Sequence, residues 1–530
     1  MRKKWFIYCL MAMVLIILTA CGKNSTNNES KSNQSGDIQS SLVYGRGTDS
    51  VSLDPITVTD GESFKVARNI YETLVQFGDD DTSIKPSLAK EWKISKDQLT
   101  YTFTLQDGVK FQDGTDFNAQ AVVKNFERWM NGSADKFPYY GDMFGGYKGD
   151  KEHIIDSVKA VNDTTFELKL KKPSAALLNN LAMAAFSIAS PTAIEKEGDK
   201  YGENPVGTGP FKFVSWKRNN TIELDKNSNY WQKGYPKVSK LIYRTLPDNS
   251  ARLNSLVTGE IDIADGLSPS DHTRIEQDQN LQLLKRPSFN VGYLGMTMTQ
   301  KPFDDQKVRE AVSMAIDRKA IVSSFFEGFA TEAKNPLQPT ALGYNENTLP
   351  YKFDVEKAKS LLKDSSYDGK EVELWAMPVP RPYMPDGQKV AEAIQKNLEI
   401  IGMKTKIVTY EWATYLEKTR KGEAQLFLLG GTSDNGDPDN LLSLFFYDSG
   451  ALNNSQLHDE QIQKWLTEAR STTDQTKREK IYANIQNRLR NIIPVLPLVH
   501  STPIVGARSN VENYHPHPTE ADDLKNVTVK

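Results

Sequence analysis

The chain has 530 residues, with 65 lysines and arginines against 68 aspartates and glutamates, and a formal net charge of −3. At about 150 residues per domain, this length predicts roughly three domain-sized units. The 38% of hydrophobic residues argue against long disorder and against a protein that crosses the membrane many times. The balanced charge gives no basic surface for nucleic acid, and two cysteines are too few for a disulfide scaffold or a four-thiolate zinc site.

The first 20 residues predict a lipoprotein signal peptide. Residues 2–4 are basic, and the apolar run over residues 5–18 is shorter than the about 20 residues of a membrane-spanning helix. The sequence LTAC at residues 18–21 resembles a bacterial lipobox, which implies cleavage before Cys21 and lipidation of its thiol. The alternative interpretation is an ordinary secretory signal with a chance cysteine.

A polar segment follows the lipidation motif. Residues 22–41 are rich in Asn, Ser, Gln and Lys and cannot bury enough apolar surface to fold. We therefore expect residues 21–41 to be the lipidated cysteine and a flexible tether, with the folded body starting at residue 42. Together with the signal peptide, this predicts an extracytoplasmic protein that a lipid anchors to the bacterial cell membrane.

Strand patterns come first in the folded body. Apolar residues at every second position predict strands over residues 99–106 and 166–170. Asp107 and Gly108 predict a turn, after which residues 109–111 are expected to return as the partner of the first strand.

Helix patterns appear later in the chain. Apolar residues spaced by three and four predict helices over residues 305–326 and 390–401, the second ending at Gly402. Strands are predicted at 404–409 and 425–429. This order favours an α/β body with partly parallel sheets, where ligands bind in loops beyond the carboxyl ends of strands. The loop over residues 430–440 follows such a strand.

The sequence contains none of the common catalytic motifs. A G-x-S-x-G nucleophile motif, a phosphate-binding loop, a G-x-G-x-x-G fingerprint and an H-E-x-x-H helix are all missing. His515 and His517, on either side of a proline, could hold a metal, but we favour a surface turn. Asp79, Asp80 and Asp81 lack the spacing of a calcium loop. We therefore predict no catalytic residue, no metal and no cofactor.

Three blocks of sequence resemble the family 5 extracellular solute-binding proteins of ABC importers. They are residues 92–122, the NPVGTGPFKF sequence at 204–213 and the KPFDDQKVREAVSMAIDR sequence at 301–318. The resemblance implies an α/β, two-lobed periplasmic-binding-protein-like fold of class II, the large peptide-binder type with an extra subdomain, a ligand cleft and a hinge.

The same resemblance implies a division into lobes and a set of partners. Lobe I takes residues 42–286 plus 503–530, including an inserted subdomain at about 78–203, and lobe II takes 287–502. We expect a monomer that captures short peptides and delivers them to permease transmembrane subunits, which work with cytoplasmic ATPases.

Two further blocks resemble the dipeptide-binding branch of this family. They are residues 377–395, which contain PVPRPY, and residues 432–440, TSDNGDPDN. In that branch the arginine of the first block binds the carboxylate of the peptide, and the first aspartate of the second binds its ammonium. The matching residues are Arg381 and Asp434.

The chemistry of a peptide is consistent with these two roles. A dipeptide is a zwitterion, and enclosing it removes water from both charged ends, so each end needs an opposite charge. Arginine suits a carboxylate and aspartate suits an ammonium. The resemblance also implies that Trp412 forms a pocket wall and that a loop of the opposite lobe contacts the peptide backbone, namely Thr59, Asp60 and Gly61.

One position departs from the branch. Gly431 stands where related dipeptide binders commonly carry tryptophan, which predicts a roomier or more flexible pocket wall at this point. Longer peptides, glutathione, haem, a nickel chelate or a peptide pheromone therefore remain alternative ligands on the same scaffold. Nickel is less favoured because residues 430–440 contain no histidine. A surface-anchored hydrolase is the alternative from another class.

Overall fold

The structure is a computed structural model that describes residues 40–448, 450 and 452–530. The predicted signal peptide, Cys21 and the predicted tether up to residue 39 lie outside the described residues. The first strand begins at Ser41, one residue before the predicted start of the body. Within the described part, no helix combines the length and the apolar character needed to cross a membrane.

The strands are numbered in chain order. They are β1 (Ser41–Arg46), β2 (Val75–Phe77), β3 (Ile84–Pro86), β4 (Ala89–Ile94), β5 (Thr100–Leu105), β6 (Ile155–Asn162), β7 (Thr165–Leu170), β8 (Phe211–Lys217), β9 (Thr221–Lys226), β10 (Lys240–Thr245), β11 (Ile263–Ala264), β12 (Leu281–Lys285), β13 (Asn290–Met296), β14 (Ala330–Glu332), β15 (Val372–Trp375), β16 (Thr405–Val408), β17 (Leu426–Thr432), β18 (Val495–Ser501), β19 (Ile504–Arg508), β20 (Val511–Glu512) and β21 (Thr528–Val529).

The helices follow the same convention. They are α1 (Gly61–Ile70), α2 (Ala119–Met130), α3 (Pro138–Phe144), α4 (Leu177–Ala182), α5 (Pro191–Glu197), α6 (Asn249–Thr258), α7 (His272–Glu276), α8 (Gln306–Ala315), α9 (Arg318–Phe325), α10 (Val355–Lys363), α11 (Gly387–Ile400), α12 (Trp412–Arg420), α13 (Pro438–Phe446), α14 (Glu460–Ser471) and α15 (Gln475–Ile492). Short 3-10 helices lie at Pro55–Thr57, Ala184–Phe186, Gly198–Glu203 and Pro269–Asp271.

The largest sheet has seven strands in the order β12-β19-β11-β1-β10-β9-β8. Its strand β1 is parallel to both β10 and β11, as the α/β pattern predicts. Leu42 and Tyr44 of β1 are buried with Val66 and Ile70 of α1 in one core. The helix therefore covers the face on which β1 places its alternate side chains.

The second sheet has six strands in the order β14-β18-β13-β17-β15-β16. Every residue of β13 and of β18 is buried, which is what a strand covered on both faces requires. Strand β15 is parallel to β16 and to β17, whereas β17 and β13 are antiparallel. The carboxyl end of β17 leads into the loop that carries Asp434.

The third sheet has four antiparallel strands in the order β4-β5-β7-β6. Helix α2 packs on it, and Phe103, Phe126 and Phe166 share its core. The strand predictions at 99–106 and 166–170 are confirmed by β5 and β7. The prediction that residues 109–111 pair with β5 is wrong, because β4 and β7 already occupy both edges of that strand.

The later predictions are also tested by the described elements. The strands predicted at 404–409 and 425–429 are confirmed by β16 and β17, and the helix at 390–401 by α11. The single helix predicted over 305–326 is wrong. Ile316 is extended and ends α8, and Asp317 then accepts a hydrogen bond from the Ala320 amide to cap α9. The lobe boundaries stay a prediction.

A row of buried, alternating charges fixes the C-terminal segment to the largest sheet. Arg46 contacts Asp49 and Glu62, and Lys65 lies 2.8 Å from Glu62 and 2.6 Å from Asp265. Arg286 contacts Asp265 at 3.4 Å and donates to both carboxylate oxygens of Asp522, at 2.6 and 2.9 Å. We call this row the ion chain; its members are Asp49, Arg46, Glu62, Lys65, Asp265, Arg286 and Asp522.

The Arg286→Met variant tests the contribution of the ion chain to stability. Removing this guanidinium leaves Asp522 and Asp265 short of positive charge in a buried place, so we expect a loss of about 3–5 kcal/mol in unfolding free energy. Urea denaturation followed by circular dichroism measures it. The matched control is Arg244→Met, which breaks a partly exposed pair with Glu260 and should cost about 1 kcal/mol or less. Equal losses in the two variants would contradict the interpretation.

Candidate functional site

The Asp434 loop connects β17 to α13 and is held in shape by its own polar side chains. Asn435 accepts a hydrogen bond from the Asp437 amide at 2.9 Å, and Asn440 accepts one from the Asp434 amide at 3.0 Å. Gly436 adopts a φ of 69°, in the left-handed region that glycine tolerates. Because these groups shape the loop, the Asp434 carboxylate is left to point away from it.

The Asp434 carboxylate meets a hydroxyl group from a distant part of the chain. Tyr139 on α3 donates a hydrogen bond to Oδ2 of Asp434 at 2.6 Å. Burial raises the pKa of Asp434 to about 6, the hydrogen bond from Tyr139 opposes this rise, and the negative charge of Glu520 adds to it. A desolvated carboxylate with a neutral donor as its partner is well suited to bind a cation.

The same loop makes two further contacts, both with residues of α4. Asn435 donates to the side-chain oxygen of Asn180 at 2.8 Å, and Asn179 donates to the carbonyl of Asn435 at 3.1 Å. On its other side the loop is anchored by a buried ion pair, in which Arg478 donates to both carboxylate oxygens of Asp437 at 2.6 Å. Asp434 therefore sits on a rigid support, opposite the residues of α3 and α4.

Arg381 lies in a tight turn and is exposed. Its amide donates to the Met384 carbonyl at 3.0 Å, and the Met384 amide donates back at 2.8 Å. The guanidinium lies over the Trp412 ring at 5.4 Å from its centroid, and Trp412 stacks on Tyr415. In the part of the chain that the structure describes, Arg381 forms no ion pair with a carboxylate. Its charge is thus oriented by an aromatic face and open to an anion.

The residues Thr59, Asp60 and Gly61 form the start of α1. The Asp60 carboxylate caps this helix by accepting hydrogen bonds from the amide and the hydroxyl of Ser63, each at 2.8 Å. Burial raises the pKa of Asp60. Thr59 and Gly61 are exposed.

Gly431 is partly exposed, but the direction in which a side chain would extend from it is occupied. A Cβ atom on Gly431 would lie 2.7 Å from the ring of Phe445, which is buried. The ring of Phe445 thus fills the direction in which a side chain would extend, and the expected roomier wall is absent at this residue.

A cavity of about 450 Å³ lies beside Asp434. Its lining combines apolar and charged side chains from the first half of the chain and the C-terminal segment; examples are Phe64, Phe77, Met183, Arg68, Lys237 and Asp523. Asp434 is the predicted site residue that lines it. Arg381, Trp412, Gly431 and the Thr59–Gly61 loop are not among its lining residues.

The comparisons with known proteins decide the family. The family model described as bacterial extracellular solute-binding proteins, family 5 Middle, matches residues 83–453. The chain belongs to this family. It is 34% identical to the dipeptide-binding protein of Escherichia coli strain K12 over 92% of this chain and 94% of that protein. It is also 34% identical to heme-binding protein A of Haemophilus influenzae, over 98% of each chain.

A solved structure extends the likeness to the fold. The ABC transporter-associated periplasmic binding protein DppA from Helicobacter pylori, in complex with the peptide STSA, superposes with a TM-score of 0.82 at 33% identity, covering 92% of this chain and 98% of that one. The predicted membership of family 5 and the predicted α/β solute-binding fold are therefore confirmed. This family 5 chain is the solute-binding component of an ABC importer and works outside the cytoplasm, and its relatives are binding proteins rather than enzymes.

Two residues of this family 5 site were missed by sequence reasoning. Tyr139 follows a proline in a short helix, where a tyrosine more often belongs to a core, so no local signal distinguishes it. Glu520 lies in the C-terminal segment at a φ of 64°, with its Oε2 atom 3.7 Å from where a Cβ on Gly61 would be. Both contacts join residues far apart in the sequence.

The histidine pair of the C-terminal segment does not form a metal site. Both ring nitrogens of His517 are occupied, Nδ1 by the Thr519 hydroxyl at 2.7 Å and Nε2 by the carbonyls of Gly78 and Asp81 at 3.1 Å each. Burial lowers the pKa of His517, which favours the neutral ring. His517 is buried, so the predicted surface turn is wrong for this residue. Among the described residues, no group of three or more potential ligands could hold a metal ion.

The Tyr139→Phe variant tests the hydrogen bond to Asp434. Because that bond stabilises the ionised carboxylate, its loss should raise the pKa of Asp434 by about one unit above its value of about 6. A carbon-13 NMR titration of aspartate-labelled protein, with Asp434→Asn to assign the signal, measures the shift. Tyr147→Phe is the matched control, since its hydroxyl donates to the Phe137 carbonyl instead. An unchanged Asp434 titration in Tyr139→Phe would show that the hydroxyl does not bind the carboxylate in solution.

Proposed function

We propose that this protein captures short peptides, di- or oligopeptides, outside the cell and delivers them to the transmembrane subunits of an ABC permease with cytoplasmic ATPases. The observation that carries this proposal is the Asp434 carboxylate, which is enclosed beside a cavity and which, among the described residues, accepts a hydrogen bond from the Tyr139 hydroxyl alone. The dipeptide-binding relative and the neighbour solved with the peptide STSA support it.

Asp434 binds the amino-terminal ammonium of the peptide in this proposal. An ammonium group supplies the full positive charge that the Tyr139 hydroxyl cannot, and the tyrosine oxygen remains close enough to accept one of its protons. Binding of the ammonium lowers the pKa of Asp434, so the peptide binds most tightly above pH 6, where the carboxylate is ionised. Below this pH the affinity falls, because protonation competes with the peptide.

Arg381 binds the carboxylate at the other end of the peptide. Its guanidinium is already oriented on the Trp412 ring, which lowers the entropy lost when a carboxylate binds. Since the guanidinium is exposed, closure of the two proposed lobes, residues 42–286 plus 503–530 and residues 287–502, removes water from this contact. The backbone of Thr59, Asp60 and Gly61 supplies hydrogen bonds to the peptide backbone from the opposite side.

Membrane attachment is part of the same proposal. Cleavage after residue 20 exposes Cys21, its lipid holds the protein at the outer face of the bacterial membrane, and residues 22–41 give the body freedom to reach the permease. A monomer suffices for this cycle, in which one chain carries one peptide.

Haem is the second candidate ligand. The relative that covers 98% of this chain is named heme-binding protein A, and the aromatic rings of Phe64 and Phe77 line the cavity beside Asp434. A titration of haem followed by its Soret absorbance decides between the two ligands, since peptides give no such signal. Tight, stoichiometric haem binding that dipeptides do not displace would favour this candidate over peptides.

The Asp434→Asn variant tests the ammonium anchor. Isothermal titration with alanyl-alanine should show affinity lowered by roughly 10²–10³-fold, because the enclosed ammonium loses its opposite charge, worth ~3–5 kcal/mol. Asp368→Asn, which changes an exposed carboxylate paired with Lys370, is the control and should bind as the unmodified protein does. If Asp434→Asn binds the dipeptide as tightly as the unmodified protein, the proposed anchor is wrong.

The Cys21→Ala variant tests the lipid anchor. The host cell labelled with a palmitate analogue should incorporate label into the unmodified protein and none into the variant, since the thiol is the proposed attachment point. Cell fractionation should move the variant from the membrane to the soluble extracytoplasmic fraction or leave it as an uncleaved precursor. Equal labelling of both proteins would contradict the assignment, and Cys9→Ala is the control, expected to label normally.

A further inference from the structure

Glu520 places a carboxylate next to the predicted loop of Thr59, Asp60 and Gly61. It lies between β20 and β21, and its amide donates to the His517 carbonyl at 3.0 Å, which closes the turn. Its side chain reaches the start of α1, where its Oε2 atom is 3.7 Å from the position of a Cβ on Gly61. The carboxylate therefore faces the loop that is proposed to hold the peptide backbone.

The charge of Glu520 acts on both sides of the site. It raises the pKa of Asp434, the proposed ammonium anchor, and that of Tyr383, two residues beyond Arg381. Its sequence neighbours Thr519 and Ala521 line the cavity together with Asp434. Glu520 itself is not a lining residue; its carboxylate lies at the start of α1, beside Gly61.

The nearby cations are already neutralised by other carboxylates. Lys65 and Arg286, the cations that favour ionised Glu520, each contact two carboxylates of the ion chain. That chain holds four carboxylates and three cations, so it has no positive charge to spare. Within residues 40–448, 450 and 452–530, the Glu520 carboxylate forms no hydrogen bond or ion pair. Burial raises its pKa accordingly.

The residues that line the cavity also carry more negative than positive charge. Its lining contains two cations, Arg68 and Lys237, and four carboxylates; the latter are Asp79, Asp80, Asp434 and Asp523. Of these, Asp523 is paired with Lys525 at 2.5 Å and faces Arg68 at 3.7 Å. After Asp434 has taken an ammonium, this cavity and Glu520 still present more negative than positive charge.

We propose that Glu520, whose carboxylate lies beside the loop proposed to hold the peptide backbone, makes the site select peptides whose amino-terminal residue carries a lysine or arginine side chain. The peptide ammonium on Asp434 places the first side chain beside the cavity, and its cationic end balances the Glu520 carboxylate. This inference rests on the proposed peptide function and specifies its substrate class.

Isothermal titration with Lys-Ala, Ala-Ala and Glu-Ala at low ionic strength tests the selection. The unmodified protein should bind Lys-Ala roughly five-fold more tightly than Ala-Ala, the effect of one partly exposed ion pair, and Glu-Ala more weakly than either. In Glu520→Gln the ratio of Lys-Ala to Ala-Ala affinity should fall to about one.

Two further variants make the result specific. Glu520→Gly suits the left-handed backbone and should lose the selection in the same way, so a folding defect of the glutamine variant would not obscure the outcome. Glu512→Gln changes an exposed carboxylate of the same C-terminal segment and should keep the ratio of the unmodified protein.

Three outcomes would overturn the inference. Equal binding of Lys-Ala and Ala-Ala by the unmodified protein would overturn it while leaving the peptide function intact. A preference for Lys-Ala that persists in both Glu520 variants would assign the selection to other carboxylates and overturn the role of Glu520. Absence of binding by all three dipeptides would overturn the peptide function, and this inference with it.

Discussion

A carboxylate that is taken out of water must be met by hydrogen-bond donors or by a positive charge, and the Asp434 loop is built around this constraint. Its neighbouring side chains satisfy the loop's own amides, and Arg478 neutralises Asp437, so Asp434 keeps an unbalanced charge on a rigid support. In the part of the chain that the structure describes, the hydroxyl of Tyr139 is the group that donates a hydrogen bond to this carboxylate. The site is therefore stable enough to fold and still gains free energy when a cation arrives.

The strength of the contacts differs greatly between the two sides of the site. The ion chain joins seven buried or half-buried charged residues and connects β1 and α1, through Asp265 and Arg286 at the ends of β11 and β12, to the C-terminal segment. Breaking such a network costs several kcal/mol. On the other side of the site, Asp434 and Asn435 make three hydrogen bonds with Tyr139, Asn179 and Asn180, each worth about 1–3 kcal/mol. The hydrogen bonds of Asp434 and Asn435 therefore cost less to break than the contacts of the ion chain.

Sequence reasoning succeeded where the signal is local. The alternation in β5 and the cap at the end of α11 depend on neighbouring residues, so their patterns are visible in one dimension. The break between α8 and α9 also has a local signal, because Asp317 caps the amino end of α9. A search for capping residues inside long helical patterns would have found it. The partner of β5 was not predictable in this way, because β7 returns to it only through the folded sheet.

The candidate site likewise contains some residues that the sequence predicts and others that depend on tertiary contacts. Asp434 and Arg381 belong to blocks that resemble a known branch, so their positions could be proposed from the sequence. Tyr139 meets Asp434 across 295 positions, and Glu520 meets the start of α1 because tertiary contacts, the ion chain among them, hold the C-terminal segment there. The close approach of Phe445 to Gly431 could not be predicted either, because it depends on how α13 packs against β17.

The division of charge between these residues has a consequence for specificity. Every peptide has an ammonium and a carboxylate, so in the proposed function the enclosed Asp434 and the exposed Arg381 recognise the class of ligand irrespective of its sequence. Glu520 acts through a partly exposed contact, whose contribution of about 1 kcal/mol or less is small beside the ~3–5 kcal/mol of an enclosed anchor. A protein arranged in this way binds many peptides and biases their uptake, because the stronger interaction is common to all of them and the weaker one depends on a single side chain.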